Sequence, residues 1–252
     1  MLLLLASVAG GAANALAGGG TFLVFPALLL AGVAPVMANA TASLILWPSG
    51  LASAWVFRKG LAENRSRLVS MSLASALGAA VGSVLLLSTS NATFDKLVPW
   101  LLLGATAIFT FSGQLRRMAT SGGRHSSTTA LLAGQFVISV YGGYFGAGMG
   151  VLMLALYLAA SAMDVHAANG LRTLCGATIN LVAIVIFAAR GALDWRIGIP
   201  MLIVAIAGGY WGAHAVRRLQ ADHARRAILV YAWTVTVWFF GRMLLHALRP
   251  AA

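Results

Sequence analysis

Glycines, asparagines and aromatics of the first half return in the second half in the same order and at one constant offset. Gly18, Gly20, Asn39, Phe57, Met71, Gly78 and Gly82 are matched by Gly148, Gly150, Asn169, Phe187, Met201, Gly208 and Gly212. An unbroken offset of this length implies duplication and fusion, so whatever one half folds into the other must fold into as well. Many secondary transporters are assembled in this way.

The medium for that fold is lipid. No charged side chain occurs from Met1 to Phe57, Leu68 to Phe94, Leu97 to Leu115 or Ser126 to Met163. One helical crossing takes about 20 apolar residues. The chain is 60% apolar, with a mean hydropathy of +0.90 and five acids, which leaves no stretch polar enough for a separate aqueous domain. The apolar units are Met1–Ala31, Val36–Phe57, Leu68–Ser88, Leu97–Leu115, Thr128–Ala160, Ala167–Ala189, Ile197–Val216 and Ala227–Leu248.

The first and fifth units are too long for one crossing. Each is interrupted near its middle by glycine: Gly18, Gly19 and Gly20 in the first, and Gly142, Gly143, Gly146, Gly148 and Gly150 in the fifth. Each half falls short of the roughly 30 Å hydrocarbon core, and glycine permits a left-handed turn there. If these units cross once, the repeats are parallel. If they fold back as hairpins, each repeat has three full spans and the second copy is inverted. Leaving Arg172 aside, counting Lys and Arg does not choose, since both schemes put the same number inside. The inverted scheme exports the milder loop of Arg190, Asp194 and Arg196, and it is preferred. The expected fold is thus an all-α integral membrane protein, one domain over 1–252. Repeat 1 covers 1–118, a basic linker 119–126 and repeat 2 127–248. Each repeat has one glycine-broken, re-entrant or hairpin helix and three transmembrane helices.

A net charge of +12 would suit nucleic acid. However, Arg58, Lys59, Arg65, Arg67, Arg116, Arg117, Arg124, Arg217, Arg218, Arg225 and Arg226 sit in short connectors between apolar spans, where the positive-inside rule puts them. No nucleic-acid partner is expected. Met1–Ala17 ends in a sequence like a signal-cleavage site, but its counterpart near Leu131–Ala147 is internal, so it is read as structure. Cys175 stands alone, which leaves no intrachain disulfide and no thiolate metal cluster. Trp47, Trp55, Trp100, Trp195 and Trp211 are assigned to interfacial belts. Gly78 with Gly82, and Gly208 with Gly212, are spaced for close helix packing in lipid.

A half-helix that begins in mid-membrane offers unpaired N–H groups and a partial positive charge, an anion site without a charged side chain. The substrate is therefore placed between the two glycine breaks, at Gly18, Gly19 and Gly20 and at Gly146, Gly148 and Gly150. Asn39 and Ser43 in one half match Asn169 and Thr173 in the other, each pair presenting an amide and a hydroxyl on one helix face. Interhelical bonding and a shared site at the symmetry axis explain these pairs equally well. Arg172 replaces Ala42 of the first half. An ionisable residue within a span is costly and marks a functional site unless it snorkels to the interface. Asn180 extends its face. No acid lies deep in a span, so a proton-coupled carrier would use Asp164, His166, His214 or the substrate's own protonation. No nucleotide-binding loop, hydrolase elbow or metal-ligand cluster is present, which argues against an enzyme.

Three stretches carry a resemblance. They are Gly18–Pro26; Ala38–Ser43, containing Asn39 and Thr41, with Trp47–Pro48; and Gly146–Gly150 with Asn169, Arg172 and Asn180. Over almost its whole length the chain resembles the TauE/SafE family of sulfite exporters, also called TSUP. The resemblance implies a multi-pass permease of the inner cytoplasmic membrane, without a cofactor, that moves sulfite, an organosulfonate or a related sulfur-containing anion. It also implies that Arg172 is the counter-charge for an oxyanion. Alternating access between the repeats is the expected mechanism, with an anion channel on the same half-helices as the alternative. Besides the anion and the lipid bilayer, a homodimeric partner is compatible with the sequence.

Overall fold

In lipid every backbone N–H and C=O must find a partner within its own segment, which favours helix throughout. The computed structural model describes residues 1–17, 19–56, 65–121, 127–160, 163, 165–216 and 221–248. The first half contains α1 (Leu2–Ala17), α2 (Thr21–Leu30), α3 (Pro35–Val56), α4 (Arg65–Ser88) and α5 (Asn91–Thr110), followed by α6 (Ser112–Ser121). The second contains α7 (Thr128–Tyr144), α8 (Met149–Ala160), α9 (Val165–Ala189), α10 (Trp195–Val216) and α11 (Ala221–Leu248). Among the described residues, α4, α5, α9 and α11 contain stretches long and apolar enough to span a bilayer. Ser90 and Ser127 cap α5 and α7, accepting bonds from Thr93 N at 3.1 Å and Ala130 N at 3.2 Å.

Both glycine-broken units fold back on themselves. A straight helix would hold Gln135 and Tyr157 roughly 33 Å apart, yet the Tyr157 hydroxyl donates to Gln135 Oε1 at 2.7 Å. In the first unit, a Cβ placed on Gly10 would come within 2.5 Å of Val24 Cγ2. The second turn is glycine's work: Gly146 and Gly148 adopt φ of 77° and 76°, a conformation that costs other residues about 1–2 kcal/mol. Phe145 N and Gly146 N both donate to Tyr141 O there, and the Tyr141 hydroxyl donates to Ala147 O at 2.6 Å.

The hairpins pack on the opposite halves. Helix α1 lies along α10, and α7 along α4. Glycine makes these approaches close: a Cβ on Gly208 would run into Val8 O, one on Gly82 into Val140 O, and one on Gly78 would meet Phe136 O at 2.5 Å. Among the described residues, hydrogen bonds join two pairs of positions 130 apart. Thr106 Oγ1 meets Thr236 Oγ1 at 3.2 Å, and Trp47 Nε1 donates to Ala177 O at 3.2 Å. Trp47 is therefore held inside the bundle and not in an interfacial belt, whereas Trp100 and Trp195 are exposed. The side chains of Trp55 and Trp211 lie outside the described part.

Val36 N donates to Asn91 Oδ1 and Asp194 N to Thr41 Oγ1, both at 3.0 Å, which gathers residues 31–34, 89–90 and 190–194 at one end. The opposite end carries the start of α4, with Arg65 and Arg67, together with α6 and the starts of α7, α9 and α11. Outward-facing Val69, Leu73, Leu77, Val81 and Val84 form an apolar stripe along α4, and Ile199 and Ile203 begin a similar one on α10. Apolar surface of this extent suits lipid. The uncharged run Leu97–Leu115 divides at Phe111 into span α5 and polar α6, a break that hydropathy alone does not mark.

Candidate functional site

A cavity of about 90 Å³ lies between the two hairpin turns. One water needs about 10–15 Å³ measured this way, so a small polyatomic ion fits. The first half supplies Asn14 of α1, Thr21 of α2, and Ser43 and Leu46 of α3. The second supplies Phe145 and Gly146 from the turn, and Met149, Gly150 and Met153 from α8. Helix α9 adds Arg172, Thr173, Gly176, Ala177 and Asn180.

Arg172 is half-buried, and its guanidinium occupies the space that a side chain at position 150 would fill: a Cβ on Gly150 would lie 2.9 Å from Arg172 Nη1. Among the described residues lining the cavity, Arg172 is the only ionisable one. Among the described residues Thr21 and Asn180 make no side-chain hydrogen bond, so a hydroxyl and an amide stand ready. Ser43 and Thr173 donate to their own helix, at Asn39 O (3.3 Å) and Gly170 O (2.8 Å), and their protons must rotate to serve a guest. Asn14 Nδ2 donates to Leu46 O at 3.3 Å.

The half-helix starts are less bare than expected. In α2, Phe22 N donates to Gly19 O and Leu23 N to Gly20 O; in α8, Met149 N donates to Gly146 O and Val151 N to Gly148 O. Tight turns use part of each amide set, and Gly150 brings the start of α8 to the cavity wall.

Of the residues singled out in the sequence, the cavity brings together Ser43, Gly146, Gly150, Arg172, Thr173 and Asn180. Asn39 is elsewhere, donating to Tyr144 O at 2.9 Å, and Thr41 accepts from Asp194 N. Gly19 packs near Ile228, and Gly20 against Gly10 O, Asn14 and Leu46. Gly148 turns the chain beside Ala105, and Asn169 is half-buried on α9 away from the lining. Gly18 and Asp164, and the side chains of His166 and His214, lie outside the described residues. Asn14 and Thr21 were missed. Their counterparts are Tyr144 and Val151, so the repeat gave no signal, although an Asn in so apolar a helix is one.

The sulfite exporter TauE/SafE family model matches residues 2–239. The chain belongs to the TauE/SafE family. Among curated relatives, a "Probable membrane transporter protein" of Haemophilus influenzae is 27% identical over 226 residues, covering 88% of this chain and 87% of that protein. A probable membrane transporter protein of a Sinorhizobium species is 26% identical, covering 98% and 93%. The probable membrane transporter protein YfcA of Escherichia coli is 24% identical, covering 90% and 82%. No solved structure matches the chain. This TauE/SafE protein is a multi-pass membrane transporter, and its family is one of transporters, not enzymes.

Proposed function

We propose that this TauE/SafE protein is a secondary permease of the cytoplasmic membrane that moves sulfite, an organosulfonate or a related sulfur-containing anion by alternating access. The reading rests on Arg172. It is the sole ionisable side chain among the described lining residues, and amide and hydroxyl groups share the cavity with it. A guanidinium taken out of water favours an anionic guest, and its planar set of donors suits an oxyanion. The family's name supplies the sulfur chemistry.

We further infer that residues 1–118 and 127–248 are inverted repeats. The folded-back hairpins leave an odd number of crossings per half, and the bonds between positions 130 apart join residues to their own counterparts, as a two-fold axis would require. Ser43 and Thr173, another such pair, both line the cavity. An anion held near this axis is reached from either side when one half rocks against the other. Positive residues at the α4 and α6 end make that end cytoplasmic.

The test is flux into liposomes. Sulfite, thiosulfate, sulfate and sulfoacetate should show saturable, selective transport by at least one of them, and Arg172→Ala should lower it about 10–100-fold, the equivalent of one charged hydrogen bond. Flux unaltered by the substitution overturns the Arg172 assignment. Single-channel currents far above carrier turnover overturn alternating access.

A further inference from the structure

A second buried polar group adjoins the cavity, and neither the binding site nor the fold accounts for it. Gln135 Nε2 donates to Ser75 Oγ at 2.8 Å and Ser139 Oγ at 3.1 Å, and lies 3.5 Å from Met153 Sδ. Gln135 Oε1 accepts from the Tyr157 hydroxyl. Ser75, Gln135, Ser139 and Tyr157 are all fully buried.

The first half also buries a polar group in its hairpin, since Ser7 of α1 is fully buried and its hydroxyl makes no hydrogen bond among the described residues. It builds no such network there, however: Ala205 and Ala27, both buried, stand at the positions that match Ser75 and Tyr157. Only in the second half are the buried polar side chains joined to one another, which offsets their desolvation cost. The cluster is also directional. Met153 lines the cavity on one side and touches Gln135 on the other, so the polar residues continue from the site. They lie between α4, α7 and α8 on the basic side of the hairpin turn, with Gln135 about two turns into α7 and Tyr157 about one turn from the end of α8.

We propose that this cluster is the gate between the cavity and the basic end of the bundle, with the Tyr157 hydroxyl on Gln135 as its latch. The proposal rests on the transport reading above. Opening breaks that bond and separates α8 from α7. The freed Tyr157 hydroxyl then donates to the passing oxyanion, and the Gln135 N–H groups do so as they turn away from Ser75 Oγ and Ser139 Oγ. Neutral donors suit a passage, since they replace part of the ion's hydration without the trapping that a second guanidinium would cause.

The single cysteine reports on this gate. Cys175 is buried, and the Ser75 and Tyr157 side chains flank it. The experiment applies a membrane-impermeant maleimide to either face of vesicles, with the faces assigned by trypsin cleavage after Arg58, Lys59, Arg65 or Arg67. Cys175→Ser identifies the labelled site. In Tyr157→Phe, which keeps the ring and removes the latch, labelling from the basic face should rise at least tenfold with no rise from the other face. Gln135→Leu, which keeps most of the volume and removes the polar groups, should lower anion flux at least fivefold while ligand-induced thermal stabilisation stays as in the unmodified protein. Labelling unchanged by Tyr157→Phe, or raised equally from both faces, overturns the gate. So does full flux through folded Gln135→Leu. If no sulfur anion is carried but labelling rises from the basic face alone, the transport reading fails and the gate stands.

Discussion

Gly150 lacks a side chain where Arg172 needs room, and Gly146 lacks one where the backbone needs φ of 77°. The two glycines therefore predict different losses. Gly150→Val displaces a flexible guanidinium: ligand-induced stabilisation should fall severalfold, while the ligand-free melting temperature in detergent moves little. Gly146→Ala strains the turn by about 1–2 kcal/mol and should lower the ligand-free melting temperature itself. Comparing melting curves with and without anion separates the two. Arg172 was legible in the sequence because its partner position is Ala42. Asn39, matched by Asn169, left interhelical bonding and a site role equally open, and its amide donates across helices to Tyr144 O. Repeat matching finds the residues that frame both halves. It passes over unmatched ones such as Asn14 and Thr21, which only spatial proximity brings to the cavity.

Helix pairs in lipid gain little from burying apolar surface, so backbone proximity and shape decide them. The glycine faces of α4 and α10 meet α7 and α1 with no space for a Cβ, whereas Gly104 and Gly241 have nothing within 4 Å. Gly82→Leu and Gly208→Leu should abolish the monodisperse detergent peak in size-exclusion chromatography, and Gly104→Leu and Gly241→Leu should preserve it. Loss of the peak in all four would show that glycine content, and not contact, governs the result. Spacing alone suggested close packing at Gly78, Gly82 and Gly208. The partners were hidden, because nothing in a glycine pattern names the helix it faces. Helix α6 was hidden as well: its polar residues end the hydropathy of α5 without signalling a new element.

At the scale of the whole molecule, charge counting could not choose between parallel and inverted repeats, because both schemes export equal numbers of Lys and Arg. Contacts between distant residues bear on the choice where local pattern does not. With Cys175 changed to Ser, cysteines introduced by Thr106→Cys and Thr236→Cys should form a disulfide under mild oxidation, read as a link between the two halves after cleavage of the connecting segment. Absence of the link, in protein that still migrates as folded, would remove the two-fold arrangement.

The pairing of α1 with α10 also sets a timetable for biogenesis. During synthesis α1 leaves the ribosome long before the chain that covers its glycine-rich side has been made, and contacts so remote in sequence close slowly. The newborn amino-terminal hairpin must therefore wait in the translocation machinery or among lipids with that side unsatisfied. Stalling translation before α10 should yield a protease-sensitive intermediate, and release should let it mature.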